Sequence, residues 1–287
     1  MKSEAIVELG KPLQTIESET PEPKGKEVLL KITHSGVCHS DVHIHDGYFD
    51  LGGGNKLPVG QMLNLPHTMG HEIEGEVAAI GPDVTDVEIG ANVVAYPWIG
   101  CGECATCKAG DEHYCNAPRQ LGIQLPGGFA DYCIVPDSKY VLDYTGIRPG
   151  LAATYMCSGL TAFGALKKFV NITDEDHILI MGLGGVGMMG LQFARALFNC
   201  KILAADIDPN KLQAAKGAGG EQPSTRKSTA ASMESARKRE VERRQRSENK
   251  KQRRLHKNAV DAGTAKIPEC SGLNPGKSKR GDCAWCY

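Results

Sequence analysis

The chain has 287 residues, of which 41% are hydrophobic and 23% charged, with a formal net charge of −1. That length suits two domains with sizeable cores, and that balance gives no general attraction to nucleic acid or acidic membranes. The charge is unevenly spread, because residues 221–287 carry 17 Lys and Arg against 8 Asp and Glu, so an acidic body precedes a basic tail.

In chain order, the first seventeen residues have no apolar stretch after their lysine and no cleavage-like site, so no signal peptide is expected. The 11 cysteines then read as metal ligands or packed thiols rather than disulfides, and the expected setting is the cytoplasm. Residues 1–150 are dominated by short β-type runs at 28–33, 75–80, 92–96 and 132–135, parted by turns such as Gly81-Pro82-Asp83 and Pro126-Gly127-Gly128. This pattern predicts an irregular β-rich domain with long functional loops. Helical spacing follows over 151–169, and then a buried strand at 177–181 leads through glycines into a helix ending near Phe198. A second strand at 201–206 precedes Pro209 and a helical run from Lys211. The apolar stretch 178–194 is broken by five glycines and is too short to span a bilayer, so it reads as strand, turn and helix. The β-α-β-α order predicts the opening of a doubly wound parallel sheet, of which two strands out of about six are visible. Past Gly217 the pattern stops. Residues 222–257 hold almost no apolar side chain, and 258–287 show no period of either kind.

Three constellations carry chemistry. Cys101-x2-Cys104-x2-Cys107-x7-Cys115 lies in a glycine-rich loop, and four thiolates so spaced can close a tetrahedron around a structural zinc. The second is Gly36-Val37-Cys38-His39-Ser40-Asp41-Val42-His43, with Gly70-His71-Glu72 downstream and Cys157 further on. A catalytic zinc keeps an open position and takes about three protein ligands, and thiolates with an imidazole suit zinc over harder cations. Third is Gly182-Leu183-Gly184-Gly185-Val186-Gly187, after a strand and opening a helix, where glycine lets a pyrophosphate approach backbone N–H groups. Asp206 closes the next strand, where a carboxylate binds a ribose diol and repels the 2′-phosphate of NADP, so NAD is favoured.

Together these motifs resemble the zinc-containing medium-chain alcohol dehydrogenases over residues 1–217. The resemblance implies an α/β protein: a GroES-like zinc-binding catalytic domain at 1–150, a partial Rossmann NAD-binding domain at 151–220 and a basic tail at 221–287, expected to be disordered. It implies Cys38, His71 and Cys157 as ligands of a catalytic Zn2+, with Glu72 an occasional ligand and Asp41 orienting His71. Ser40 would take the alcohol proton and His43 pass it on, through the cofactor ribose, to solvent. His39 would lie near the pyrophosphate, Thr161 beneath the nicotinamide, Lys211 with Asp206 by the adenosine ribose, and Trp98 along the substrate pocket. Glycines Gly182, Gly184 and Gly187 form the cofactor turn, and Cys101, Cys104, Cys107 and Cys115 the structural Zn2+ lobe. Cys157 is the alcohol-dehydrogenase choice where polyol dehydrogenases often have glutamate, and the lobe argues against zinc-free quinone reductases. The implied reaction is NAD-linked, reversible oxidation of an alcohol to an aldehyde or ketone, in a family of homo-oligomers. The remaining histidines His34, His45, His67, His113 and His177 match no ligand position, and Cys133 and Cys200 read as packed thiols.

Three readings of the tail compete. A frameshift accounts for the abrupt loss of pattern inside a helix. A basic segment using Arg237-Lys238-Arg239 and 250–254 would bind nucleic acid, although charge runs are usually solvated. Cys270, Cys283 and Cys286 would form a further metal site. The alternative function is a catalytically inactive zinc-binding fragment; no membrane or nucleic-acid partner is expected.

Overall fold

The structure, a computed structural model, describes residues 1–220, so the readings of the tail concern residues outside the described ones. Ten strands come first: β1 (Lys2–Ile6), β2 (Gln14–Glu17), β3 (Val28–Gly36), β4 (Tyr48–Gly52), β5 (Asn55–Pro58), β6 (His67–Thr68), β7 (Glu72–Ile80), β8 (Asn92–Ala95), β9 (Tyr132–Val135) and β10 (Val141–Asp143). Helix α1 (His39–Asp46) follows β3, and the short α2 (Ala105–Lys108) lies between β8 and β9. The main sheet is antiparallel in the order β10-β8-β7-β3-β9, and β1 pairs with β2 and β6 in a smaller one. Its core is built of the branched side chains that favour a pleated surface. Val28, Leu30, Ile73, Val77, Val135 and Ala95 are all fully enclosed, and each large one contributes about 1.5–3 kcal/mol by leaving water.

The expected β-α-β-α order is present. Helices α3 (Ala152–Thr154) and α4 (Leu160–Leu166) lead to β11 (His177–Met181), α5 (Gly185–Leu197), β12 (Lys201–Ala205) and α6 (Pro209–Gly217). β11 and β12 pair in parallel from His177↔Lys201 to Met181↔Ala205. Leu191 and Ala194 on α5 pack with Ile178 and Ile202, closing a second core in which Cys200 is buried, while Cys133 is buried in the first. Asp208 caps α6 by accepting from the Asn210 N–H, with Pro209 opening the helix where its missing donor costs nothing.

Two features differ from the sequence expectation. Helical spacing over 151–169 does not give one helix, because Tyr155–Gly159 forms a π-helical turn between α3 and α4. Such a turn inserts a residue and turns the side chains around it, and single π turns gather at functional sites. The hairpin β4–β5 was invisible to alternation, since its tip is Gly52-Gly53-Gly54 and its strands are mostly exposed. Among the described residues no helix is long and apolar enough to cross a membrane.

Candidate metal and nucleotide sites

The first site is assembled at the end of β3. Cys38 caps α1, and its backbone N–H donates to Asp41 Oδ2 at 2.8 Å. The other oxygen, Oδ1, accepts from His71 Nδ1 at 3.1 Å, so one buried carboxylate fixes both the loop of Cys38 and the ring of His71. Ligand atoms of Cys38, His71, Glu72 and Cys157 all lie within 4.8 Å of one another, with the two sulfurs 3.7 Å apart. Glu72 reaches this cluster because residue 36 is glycine: a Cβ there would stand 2.1 Å from Glu72 Oε2. Ser158, next to Cys157, donates its hydroxyl to Glu72 Oε1 at 3.3 Å.

The electrostatics ask for a cation. His71 Nε2 is buried without a hydrogen-bond partner, a state that costs about 1–3 kcal/mol unless something accepts its lone pair. The Cys157 thiol and His71 hold the Cys38 thiol down at about 3, while Cys38 in turn pushes Cys157 up, so the pair shares a proton. Burial alone would lower His71, but the Asp41 carboxylate and Cys38 outweigh it and raise the imidazole to about 10. Burial and then the Cys38 charge push Glu72 up as well. The thiolate and carboxylate charge gathered here thus calls for a positive charge at the centre, which a divalent ion accepting the Nε2 lone pair would supply, with release of the thiol proton. The donor set of two sulfurs, one imidazole and one carboxylate fits zinc.

The second cluster is Cys101, Cys104, Cys107 and Cys115, again with all four sulfurs within 4.8 Å. Cys104 Sγ lies 3.5 Å from Cys107 Sγ and 3.9 Å from Cys115 Sγ. Backbone N–H groups point at these sulfurs: Cys104 N–H at Cys101 (3.4 Å), Cys107 N–H at Cys104 (3.5 Å) and Ala117 N–H at Cys115 (3.3 Å). Such donors stabilise thiolates; those of Glu103 and Cys104 bring the Cys101 thiol down to about 6, whereas burial pushes Cys107 up to about 12. The donor set is again one that closes around zinc.

At the nucleotide side, Gly182 leaves β11 with a positive φ of 83° and donates its N–H to Ala205 O at 2.8 Å. A Cβ on Gly187 would lie 1.7 Å from the Gly182 carbonyl, so the turn closes only with glycine there. Gly184 caps α5, leaving the first N–H groups of that helix at the turn. Asp206 already has two partners, the Leu183 N–H at 2.6 Å and the Asp208 N–H at 2.9 Å. Those two donors, with Lys211 nearby, keep its carboxyl below the usual range. Asp206 therefore holds the glycine turn in shape.

The other expected site residues are spread around these centres. Ser40 and His43 lie three apart on α1, and the His43 ring packs between His39 (4.8 Å) and Phe49 of β4 (4.9 Å). Thr161 is exposed on α4. The Trp98 ring stands 5.8 Å from that of His71. The remaining histidines take hydrogen-bonding or surface places: His45 contacts Lys11 O at 2.7 Å, buried His67 contacts Gly122 O at 3.2 Å, and His34 pairs with Glu74 at 3.2 Å. His113 stacks near Tyr114, and His177 is exposed.

Three functional contacts went unread in the sequence. Glu74 is 1% exposed and accepts from Tyr144 O–H at 3.1 Å and from Gly150 N–H at 3.0 Å, tying β7 to the segment that enters α3. Glu112 accepts from Lys139 Nζ (2.8 Å), Gly100 N–H (3.2 Å) and the Tyr140 hydroxyl, fastening the four-cysteine lobe to the segment before β10. Trp98 donates to Met156 O. The only sequence signal for the two acids was an isolated charge beside an apolar or cysteine-bearing run.

Residues 24–146 match a family model described as the alcohol dehydrogenase GroES-like domain. The chain is 39% identical over 223 residues to an NAD-dependent alcohol dehydrogenase of Saccharolobus solfataricus, covering 77% of this chain and 63% of the relative. Among solved structures, the alcohol dehydrogenase from Aeropyrum pernix superposes with a TM-score of 0.70 at 26% identity, covering 83% of this chain and 69% of that one. A thermostable alcohol dehydrogenase from Pyrobaculum aerophilum, with cobalt and zinc bound, gives 0.66 at 30% identity, covering 77% and 64%. The chain spans 63% of the length of the first curated relatives it matches. Residues 24–146 thus carry the alcohol dehydrogenase GroES-like domain, and the described residues are similar in sequence and fold to NAD-dependent and zinc-binding alcohol dehydrogenases.

Proposed function

We propose that the chain carries the chemistry of an NAD-linked alcohol dehydrogenase, the reversible oxidation of an alcohol to an aldehyde or ketone. The observation that carries this reading is the buried cluster of Cys38, His71, Glu72 and Cys157 with an unpartnered His71 Nε2 at its centre. Cys38, His71 and Cys157 would hold one catalytic zinc, with Glu72 in reach, and the four-cysteine lobe one structural zinc. When bound, zinc acts as a Lewis acid that acidifies an alcohol hydroxyl, and NAD takes up hydride. Asp41 accepts the Nδ1 proton of His71 and so keeps Nε2 free to face the cluster. Ser40, half-buried on α1, accepts the alcohol's proton, and His43 relays it to solvent. His39 and the α5 N-terminus receive the pyrophosphate, Thr161 lies beneath the nicotinamide, and Asp206 with Lys211 receives the ribose; the carboxylate of Asp206 favours NAD over NADP. The partner is a small alcohol or carbonyl compound, and a reducing cytoplasm suits the free thiols.

A second reading, a zinc-binding protein without turnover, is favoured by the exposed Leu179, Met181 and Val186 beside the glycine turn, at 37%, 53% and 46%. The deciding experiment incubates the purified full chain with zinc, NAD and a panel of primary and secondary alcohols and follows NADH absorbance. Turnover that Cys38→Ala abolishes supports the dehydrogenase. Two bound zinc ions without any NADH, for every alcohol, support the second reading.

A further inference from the structure

Trp98 follows β8 on the way to the four-cysteine lobe, and its indole Nε1–H donates to the carbonyl of Met156 at 2.8 Å. That carbonyl belongs to the peptide bond leading into Cys157. The hydrogen bond therefore fixes the peptide plane from which the Cys157 side chain departs. The need for such a fixture is local: Cys157 lies inside the π-helical turn Tyr155–Gly159, a backbone form that rarely persists without tertiary support. The same indole ring stands 5.8 Å from the ring of His71, tilted by 55°. One half-buried side chain thus touches Met156, the residue before Cys157, and His71, which are remote from each other in sequence. It meets one through the backbone and the other through its ring.

We propose that Trp98 is a positioning residue for the Cys38–His71–Cys157 site, setting the direction of the Cys157 thiolate and bracing the His71 imidazole; the inference rests on the reading that this cluster holds a cation. Groups that orient metal ligands without touching the metal typically change its affinity about 10–100-fold when removed. An indole that merely satisfies its own N–H would, when changed, alter stability and leave metal affinity alone.

The test uses the metal-stripped full chain titrated with Co2+ alone, read by thiolate-to-cobalt charge-transfer and d–d absorption. Bands lost in Cys38→Ser identify the Cys38 site, and those that persist report the four-cysteine lobe. Trp98→Phe is expected to weaken cobalt binding at the Cys38 site about 10–100-fold and shift its d–d bands, with the lobe bands unchanged. Should that variant fail to fold, with the lobe bands lost too, benzothienylalanine at position 98 decides, since it keeps the ring and replaces the N–H by sulfur. Wild-type affinity and band positions in the folded variant overturn the inference and leave the functional reading standing. Absence of any Cys38-dependent band in the unmutated chain overturns both.

Discussion

Glu112 offers the sharpest perturbation, because its carboxylate gathers three donors at the seam between the four-cysteine lobe and the main sheet. Lys139 Nζ lies 2.8 Å away but is 53% exposed, so that ion pair is worth about 0–1 kcal/mol. The Gly100 N–H and the Tyr140 hydroxyl donate to the other oxygen, and replacing a charged acceptor by a neutral one costs about 1 kcal/mol per bond. Glu112→Gln keeps the shape and loses the charge, so its expected destabilisation at pH 7 is about 1–3 kcal/mol. Burial alone would raise the Glu112 carboxyl, but Lys139 and Tyr140 outweigh it and hold it below its usual value of 4.5. A depressed folded value means that the stabilisation is complete above the unfolded carboxyl's value, about 4.3. It is lost as pH falls through the lower folded value. Urea unfolding of both proteins in the zinc-loaded state, from pH 7 downward, should therefore show a gap that closes only below about pH 4.3. Bound zinc is measured alongside, and only pH values at which both proteins keep it enter the comparison. A gap that persists undiminished in acid, or none at pH 7, would refute the assignment of the charge to this seam.

Cys104→Ala removes one of the four clustered sulfurs and should lower the thermal midpoint and the bound zinc together; a variant as heat-resistant as the parent would sink the structural-zinc reading. Gly187→Ala forces a methyl to 1.7 Å from the Gly182 carbonyl, so NAD binding measured by calorimetry should fall at least tenfold while the four-cysteine lobe keeps its metal. Glu74→Ala strands the Tyr144 hydroxyl and the Gly150 N–H and removes the carboxylate beside His34, at a cost of roughly 1–3 kcal/mol in denaturant unfolding. A loss under 1 kcal/mol would mean that water replaces the carboxylate, about the value of one exposed pair.

What could be read in advance follows from how local each cause is. The four cysteines and the glycine turn sit within fifteen and six consecutive residues, so spacing alone carries their geometry. Cys157 stands alone in an apolar helical run, and only likeness to a family singled it out. Glu72, Glu74 and Glu76 show why the rest was hidden. Alternation along a strand puts all three on one face, and three acids on one face predict solvent. The structure exposes Glu76 but buries Glu72 and Glu74, because Ser158 meets the first, and Tyr144, Gly150 and His34 meet the second. His34 comes from the neighbouring strand, but Tyr144, Gly150 and Ser158 lie 70, 76 and 86 residues away from the acids they meet, a distance that no local pattern encodes. The π turn was equally hidden, since α- and π-helical turns draw on the same helix-compatible residues.

The contacts around the first site form a closed circuit. Asp41 ties Cys38 to His71, Ser158 ties Glu72 to the turn of Cys157, and Trp98 ties that turn back to His71. Each ligand is therefore held by a neighbour that also holds another, which is how a site keeps its geometry tight from rigid elements. Energetic coupling follows from that arrangement. Asp41→Asn and Trp98→Phe both act on His71, one through Nδ1 and one through the ring face, so either change lets the imidazole swing and weakens the hold of the other. In a double-mutant cycle on cobalt affinity, the pair should show a coupling of about 0.5–3 kcal/mol. Glu112→Gln, which touches neither Asp41 nor the π turn, should add to Trp98→Phe within about 0.5 kcal/mol. Additivity of Asp41→Asn with Trp98→Phe would mean that His71 is fixed by Asp41 alone. The indole would then act on Cys157 without reaching the imidazole.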